Sequence, residues 1–324
     1  MPRLSGLRVW LWSGLLVGSL AVTGCGQTVV HAMPAAAVVD ARQASVSVAR
    51  IAVVGDIACD PASADYNGGR GTSTTCKQRA VGRLVRSLAP DALVTTGDNQ
   101  YEKGSLKAYR TSYDSALGSL RPITWAVPGN HEYGTPKAAG YFTYFGARAG
   151  TPSRPWRSFS PAKGWQVLLL DSNCWAVGGC GRHSPQARWL HRRVSHHPAR
   201  CTIASWHHPL HTAGHYKGDS SVEAVARPLW RAADRNGVDI VVNGHDHNYQ
   251  RFAPINRMVE FVAGTGGKSH YGLSNAKHLR FGTDASYGVL LLTLHADGTY
   301  RHAFMTIDGR RLDVGTGRCL NRPR

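Results

Sequence analysis

The chain has 324 residues, of which 42% are hydrophobic, and its 36 glycines and 16 prolines are too few for a disordered or fibrous protein. This is enough for one large globular domain with a sizeable core, or for two smaller ones. The formal net charge of +18 favours anionic partners, such as phosphate esters, anionic lipid headgroups or anionic cell-envelope polymers. Because the arginines are scattered, we predict no specific nucleic-acid partner. The alternative is that the charge serves solubility alone.

Residues 1–24 have the pattern of a secretory signal peptide. Arg3 and Arg8 precede an apolar run that is too short and too rich in glycine for a comfortable membrane span. The run ends in a sequence that resembles a bacterial lipobox, Val22-Thr23-Gly24-Cys25. We therefore predict an exported cell-envelope lipoprotein with Cys25 lipidated, whose membrane contact is made only through that lipid. Alternatives are cleavage further on, giving a secreted protein, and a single transmembrane anchor.

Residues 25–48 lack a clear period and are expected to form a flexible tether. Beyond them, short apolar runs predict strands at 51–54, 91–96, 123–127, 166–170, 202–206 and 238–242. Helical spacing and a Ser-Pro start predict helices over 77–88, 105–120, 184–196 and 222–236. The last part is mostly β, with runs at 257–262, 288–295 and 299–307. This order predicts a layered α/β protein with a second sheet.

Apart from Cys25 there are six cysteines, an even number that favours disulfides in an exported protein. The sequence alone does not fix how they pair. From their placement in loops we predict the pairs Cys59–Cys76, Cys174–Cys180 and Cys201–Cys319. The last pair would fix the C-terminal tail to a core strand.

Polar residues gather where five of the predicted strands end. The five segments are Gly55-Asp56, Gly97-Asp98-Asn99-Gln100-Tyr101, Gly129-Asn130-His131-Glu132, His207-His208 and Gly244-His245-Asp246-His247. Any one of them alone is most simply a turn, a helix cap or a packed histidine. Because strands of an α/β sheet present their carboxyl ends at one edge, the five segments together predict a common site.

Carboxylate and imidazole ligands suit divalent and trivalent metal ions. A bridging carboxylate can hold two such ions about 3.5–4 Å apart, where they activate a water molecule and screen phosphoryl oxygens. Glycines before the ligands let the backbone turn sharply into the site. The residue types and their order therefore predict a dinuclear metal centre.

These segments resemble the calcineurin-like metallophosphoesterase superfamily, and most closely its purple acid phosphatase branch, over about residues 50–250. The resemblance implies a four-layer α/β/β/α sandwich with two mixed β-sheets, and a catalytic domain over 49–324. The ligands that it implies are Asp56, Tyr101 and His247 for a first metal ion, Asn130, His207 and His245 for a second, and Asp98 as the bridge between them.

Tyr101 decides the branch. Many members of the superfamily carry Asp-x-His in the first segment, but here Ala58 stands two residues after Asp56. Purple acid phosphatases have instead a tyrosine three residues after the bridging aspartate, and Tyr101 holds that place after Asp98. The resemblance therefore implies Fe(III) at the Tyr101 site, with Fe(II), Zn or Mn at the second. The alternative for Tyr101 is a packed loop aromatic.

Five further residues flank the implied ligands. His131 and His215 match substrate-contacting histidines of the family, which bind phosphate or protonate the leaving group. His211 is a rival to His215 for this role. Glu132 is expected to orient a ligand or His131. His208 directly follows a ligand and is expected to point away as a structural residue near the site.

The function that the resemblance implies is hydrolysis of phosphate monoesters, in which a metal-bound hydroxide attacks phosphorus. The expected partner is a phosphorylated small molecule. Two alternatives stay open. One is a phosphodiesterase or nucleotidase on the same scaffold, and the other is a non-catalytic surface protein that binds polyanions through its basic face.

Overall fold

The computed structural model describes residues 46–320, so the predicted signal peptide, Cys25 and most of the predicted tether lie outside the described residues. Within this range the chain forms thirteen strands and four longer helices. The strands are β1 (Val48–Val54), β2 (Ala92–Thr95), β3 (Thr124–Ala126), β4 (Arg157–Phe159), β5 (Trp165–Leu169), β6 (Cys201–Ser205), β7 (Ile240–Asn243), β8 (Tyr249–Phe252), β9 (Val259–Ala263), β10 (Leu279–Thr283), β11 (Gly288–His295), β12 (Thr299–Thr306) and β13 (Arg311–Arg318). The helices are α1 (Gln78–Leu88), α2 (Ala139–Phe145), α3 (Pro185–His196) and α4 (Ser220–Arg235). None of the helices between residues 46 and 320 has the length and apolar character needed to cross a membrane.

The strands form two mixed sheets. The first has the order β13-β12-β11-β1-β2-β3, and the second has the order β10-β8-β9-β7-β6-β5-β4. β1, β2 and β3 run parallel to one another, as do β5, β6 and β7. Each sheet therefore presents a row of strand carboxyl ends at one edge.

Alternation along the strands explains the layers. Ile51 and Val53 of β1 pack into a core between the two sheets, whereas Val54 packs under the helices outside the first sheet. In β5, Val167 faces the same inner core, whereas Leu168 packs toward the helices outside the second sheet. Both faces of the parallel strands are thus covered. This arrangement confirms the predicted four-layer α/β/β/α sandwich.

The helix predicted over 105–120 is broken into pieces. It consists of Leu106–Ala108, a π-helical turn at Tyr109–Tyr113 and Asp114–Leu117, followed by a 3-10 segment at Gly118–Ile123. From the π turn, the buried Tyr109 hydroxyl donates to the Glu132 carboxylate at 2.8 Å. The irregularity therefore lies where the helix contacts the loops of the candidate site, as is common for π turns.

Apolar periodicity did not indicate α2 or the strands β4, β8, β10 and β13. Three of these strands, β4, β10 and β13, lie at sheet edges. β13 alternates between exposed and partly exposed residues and contains two glycines, so it has no apolar stripe. Such a strand is held by pairing with its neighbour rather than by a buried face. For that reason its sequence does not resemble a strand.

The structure contains the three predicted disulfides, Cys59–Cys76, Cys174–Cys180 and Cys201–Cys319. Their sequence separations are 17, 6 and 118 residues. Cys201 begins the buried strand β6, so the third bond attaches the segment after β13 to the second sheet.

We expect the Cys201–Cys319 bond to stabilise the fold most, because closing a longer loop removes more entropy from the unfolded chain. The double variant Cys201→Ser/Cys319→Ser should lose about 5 kcal/mol in free energy of unfolding, against about 2 kcal/mol for Cys174→Ser/Cys180→Ser. Chemical denaturation of both variants measures these losses. Equal losses, or the reverse order, would contradict this ranking.

Candidate metal centre

The seven predicted ligands lie together where strands of the two sheets end. In strand order they are Asp56 after β1, Asp98 and Tyr101 after β2, Asn130 after β3, His207 after β6, and His245 and His247 after β7. All but Asn130 are buried, and Asn130 is exposed. The cluster is therefore open to solvent on the side of Asn130.

The backbone at the ligands is strained. Asp56, Asp98 and His245 have positive φ angles of 59°, 46° and 70°. Such conformations cost non-glycine residues about 1–3 kcal/mol each and persist only where the surroundings fix them. Here the amide of Asp56 donates to the Gly97 carbonyl at 3.0 Å, and the amide of Ile57 donates to the Asp98 carbonyl at 2.9 Å. The loops after β1 and β2 thus hold each other in the strained form.

One group of ligand atoms surrounds the Tyr101 hydroxyl. Its oxygen lies 3.0 Å from Asp56 Oδ1, 3.2 Å from Asp98 Oδ2 and 3.0 Å from His247 Nε2. In the tautomer that donates from Nδ1 to the Ser269 hydroxyl, at 2.8 Å, His247 presents a lone pair from Nε2. The phenol has a single proton for three acceptors. The acceptors that receive no proton from the phenol therefore keep lone pairs directed at the region around Tyr101 Oη.

The second group surrounds His207. Its Nδ1 donates to the Thr96 carbonyl at 2.9 Å, which leaves a lone pair on Nε2 of the neutral ring. This Nε2 lies 3.1 Å from Asn130 Oδ1, 3.1 Å from His245 Nδ1 and 3.3 Å from Asp98 Oδ2. Asp98 Oδ2 is therefore shared between the two groups, which is the position that a bridging carboxylate requires.

The electrostatics of the site fit metal ions. Burial raises the pKa of Tyr101 well above its ordinary value, and the charges of Asp56 and Asp98 raise it further. Burial alone would also raise the pKa of Asp98, but the neighbouring His207 holds it well below its usual range. Burial opposes protonation of His207, yet Asp98 raises its pKa to about 9, so without a metal ion Nε2 carries a proton that a bound ion would displace. Buried carboxylates and converging lone pairs are stabilised by cations, and this set of oxygen and imidazole donors suits transition metals.

Glu132 joins two of the ligand loops. Its buried carboxylate accepts from the backbone amides of Asn99, Gln100 and Gly129 at 3.0, 3.2 and 2.7 Å, and also from the Tyr109 hydroxyl. Burial raises the pKa of Glu132 to about 7. Glu132 thus orients the loops that carry ligands, which agrees with the predicted supporting role.

We expect Glu132→Gln to weaken metal binding by roughly 10- to 100-fold, as is typical when a group that orients ligands is lost. A glutamine must turn its NH₂ toward one of these N–H or O–H donors, so the loops after β2 and β3 separate. Metal titration of the purified variant measures the loss, with Glu223→Gln, a change at a partly exposed residue of α4, as the control. Wild-type affinity in Glu132→Gln would show that the loops hold without this carboxylate.

His131 and His215 lie at the rim of the cluster. His131 Nδ1 is paired with the Glu102 carbonyl at 2.6 Å, and its Nε2 lies 3.8 Å from Asp98 Oδ2. The exposed His215 packs its ring 5.1 Å from that of Tyr271. Both histidines are therefore placed to reach a molecule that enters the cluster.

His211 is directed elsewhere. Its Nδ1 is paired with Glu260 at 2.6 Å, and Glu260 is fully buried. The ring packs against Trp230 at 4.5 Å and faces Phe252 at 6.3 Å. These contacts favour a structural role for His211 and leave His215 as the better candidate for substrate contact.

His208 differs from the expectation that it points away from the ligands. Its ring lies 4.4 Å from that of His245, while its Nδ1 pairs with the Ser172 hydroxyl at 2.7 Å. Strict alternation ends with β6 at Ser205, so successive side chains beyond it need not face opposite ways. Burial lowers the pKa of His208 to about 3, so the ring is uncharged at neutral pH and lines the site.

Sequence reasoning missed two tyrosines that cover the ligands. The Tyr271 ring stacks on His247 at 4.0 Å, and the Tyr216 ring stacks on His245 at 3.9 Å. Neither lies in a periodic element. Their positions in the sequence could have indicated them as residues near the site, because Tyr216 adjoins His215 and Tyr271 follows the glycine-rich run 264–267.

Comparison with known families identifies the family of this chain. A model of the family described as calcineurin-like phosphoesterase matches residues 49–249. The chain belongs to the calcineurin-like phosphoesterase family. This membership confirms the predicted superfamily and the predicted enzyme class, a metal-dependent hydrolase of phosphoric esters. It also supports a dinuclear metal centre.

The relatives of this phosphoesterase include purple acid phosphatase 17 of Arabidopsis thaliana, which is 22% identical over 268 residues, or 67% of this chain and 72% of that protein. The cyclic adenosine monophosphate phosphodiesterase CpdA of Escherichia coli K12 is 28% identical over 124 residues, or 38% and 42% of the two chains. Purple acid phosphatase PPD1 of yellow lupin superposes with a TM-score of 0.67 at 18% identity. That match covers 84% of this chain but about half, 54%, of the lupin chain. These relatives confirm the resemblance to the purple acid phosphatase-like branch.

Proposed function

We propose that this phosphoesterase hydrolyses phosphate monoesters at a centre of two metal ions. The observation that supports this most is the convergence of two groups of ligand atoms that share Asp98 Oδ2, 3.2 Å from Tyr101 Oη and 3.3 Å from His207 Nε2. The proposed ligands are Asp56, Tyr101 and His247 for the first ion, Asn130, His207 and His245 for the second, and Asp98 for both.

We assign Fe(III) to the first ion and Fe(II), Zn or Mn to the second. The Tyr101 oxygen lies beside two carboxylate oxygens, at 3.0 Å from Asp56 and 3.2 Å from Asp98. If a bound ion displaces the phenol proton, three anionic oxygens lie this close together, which favours a small ion of high charge. The second group offers an amide oxygen and two imidazoles with only one carboxylate, which suits a divalent ion.

When bound, the ions would activate a water molecule as nucleophile and screen the phosphoryl oxygens. Residues of this chain supply the remaining steps. With Nδ1 donating to the Glu102 carbonyl, the protonated form of His131 would donate from Nε2 to a phosphoryl oxygen or give that proton to the departing oxygen. His215 offers a second donor at the rim. The exposed side of Asn130 admits the substrate.

Preference for monoesters follows from charge. A monoester dianion presents one more anionic oxygen than a diester, and the rim offers two histidine donors to meet it. We expect kcat/KM for p-nitrophenyl phosphate to exceed that for bis(p-nitrophenyl) phosphate by roughly 10-fold or more. Removal of the metals with a chelator should abolish both activities, and added metal should restore them. No hydrolysis of either ester by protein with full metal content would overturn the proposal.

A phosphodiesterase is the second candidate, because one relative is named as a cyclic-nucleotide phosphodiesterase. The same pair of substrates decides between the two. Faster turnover of the diester would support this candidate and reject the monoester preference, while leaving the dinuclear centre in place.

A further inference from the structure

A cavity of about 250 Å³ opens beside the second ligand group. Asn130 and His245, two of the proposed ligands, line it together with Trp175. Pockets for drug-sized ligands occupy about 300–1,000 Å³, so this one suits a phosphate with a single ring system. The organic part of an ester whose phosphate sits at the ligands would therefore extend toward Trp175.

Trp175 is exposed to an unusual degree. It is 75% exposed, more than any other large hydrophobic side chain among residues 46–320. Indole rings normally bury most of their surface, and a large apolar group left in water beside a polar site indicates a binding surface. The cost of leaving it exposed is recovered when a ligand covers the ring.

The loop that carries Trp175 is held in place. Cys174, which precedes it, is bonded to Cys180, and the Gly179 amide closes the loop onto the Cys174 carbonyl at 2.8 Å. The edge of the indole meets the Tyr133 ring, with centroids 5.2 Å apart at 67°. The indole is thus positioned without being buried, which reduces the entropy lost when a ligand binds.

The other walls are mixed, with polar side chains such as Asn173 and Ser221 beside two valines. Val222 and Val225 of α4 line the cavity. Two of its polar side chains, Ser172 and Asp219, already have partners within the protein. Ser172 is paired with His208 at 2.7 Å, and Asp219 accepts from the backbone at the start of α4 at 2.8 and 3.2 Å. A flat ring would find an indole and two valines to contact here.

We propose that Trp175 is a specificity-determining residue that stacks on a planar unsaturated ring in the organic part of the substrate. The substrate class is then aryl or nucleoside monophosphates rather than alkyl or sugar phosphates. This inference rests on the proposed phosphoesterase function and narrows its substrates. Stacking of this kind is worth roughly a 10- to 100-fold preference.

The test compares binding of two phosphonates that cannot be hydrolysed, phenylphosphonate and methylphosphonate, by calorimetry on the metal-loaded protein. Wild type should bind the phenyl compound roughly 10-fold or more tightly, Trp175→Ala should bind both alike, and Trp175→Phe should keep most of the preference. Equal binding by wild type, or a preference that survives in Trp175→Ala, would overturn the inference while leaving the proposed function intact. Failure of both phosphonates to bind would instead count against the proposed function.

Steady-state kinetics give a second readout. They also distinguish an aryl phosphate from a nucleoside monophosphate as the substrate whose ring stacks on Trp175. In Trp175→Ala, KM for phenyl phosphate or for a nucleoside 5′-monophosphate should rise, kcat should hold, and kcat/KM for glycerol phosphate should be unchanged. The ester whose KM rises more identifies an aryl or a nucleoside substrate. A fall in kcat for all three esters alike would mean that Trp175 supports the structure rather than selects the substrate.

Discussion

Asp98→Asn will lower kcat/KM for phosphate esters on the order of 10³-fold or more while the protein stays folded. Asp98 Oδ1 accepts from the His131 amide at 2.9 Å, and an asparagine oxygen can keep that bond. The new NH₂ group must then take the place of Oδ2, between Tyr101 Oη and His207 Nε2. The variant therefore replaces the shared ligand atom by a hydrogen-bond donor at the point where the two groups of ligands meet.

The matched control is Asp91→Asn, the same change just before β2. Asp91 is exposed and accepts from the Arg50 amide at 2.7 Å, a bond that asparagine also keeps. Steady-state kinetics on p-nitrophenyl phosphate, with circular dichroism to monitor folding, should show an inactive folded Asp98→Asn and a fully active Asp91→Asn. Wild-type activity in Asp98→Asn would rule out a bridging role for this carboxylate.

Tyr101→Phe will abolish the visible absorption of the iron-loaded protein and leave the fold intact. The band expected of wild type arises from charge transfer between tyrosinate and Fe(III), and the variant lacks the phenolate oxygen. The ring itself is 1% exposed and packs 4.4 Å from His131, contacts that phenylalanine keeps. The variant removes the proton that the hydroxyl offers to three buried acceptors, so the free energy of unfolding of the metal-free protein should fall by about 1–3 kcal/mol.

The control for this change is Tyr271→Phe. Tyr271 stacks on the ligand His247 at 4.0 Å but is not one of the proposed ligands. Its variant should keep the visible band. A colourless wild-type protein that binds only Zn or Mn would refute the assignment of iron, and a band that survives in Tyr101→Phe would assign it to another ligand.

The common site could be predicted because its residues directly follow strands, whereas the assignment of ligands to two ions came from the family resemblance. Parallel strands bring their carboxyl ends to one edge of a sheet, so the positions of Asp56, Asp98 and His245 after predicted strands are enough to group them. The order of strands and helices predicted a layered α/β protein with a second sheet, and the family resemblance implied the four layers, in which Ile51 and Val54 of β1 lie in different cores. The apolar sequence pattern is enough to place a residue that belongs to a regular strand or to the loop directly after it.

Features that depend on loops from distant parts of the chain could not be predicted. Tyr216 and Tyr271 cover two ligands from loops with no period, and Trp175 is positioned by a disulfide loop. The ring of His208 lies beside His245 because β6 ends before it, a boundary that apolar pattern does not fix. Such contacts depend on loop conformation and on how the two sheets pack together.

The metal content of the purified protein tests the central claim most directly. Elemental analysis of the wild-type chain should find two metal ions per molecule, one of them iron, and His207→Ala should retain about one. His196→Ala, an exposed change at the end of α3, should retain both. Fewer than one metal ion per wild-type molecule, after purification and reconstitution with Fe and Zn, would contradict a dinuclear centre built from these seven residues.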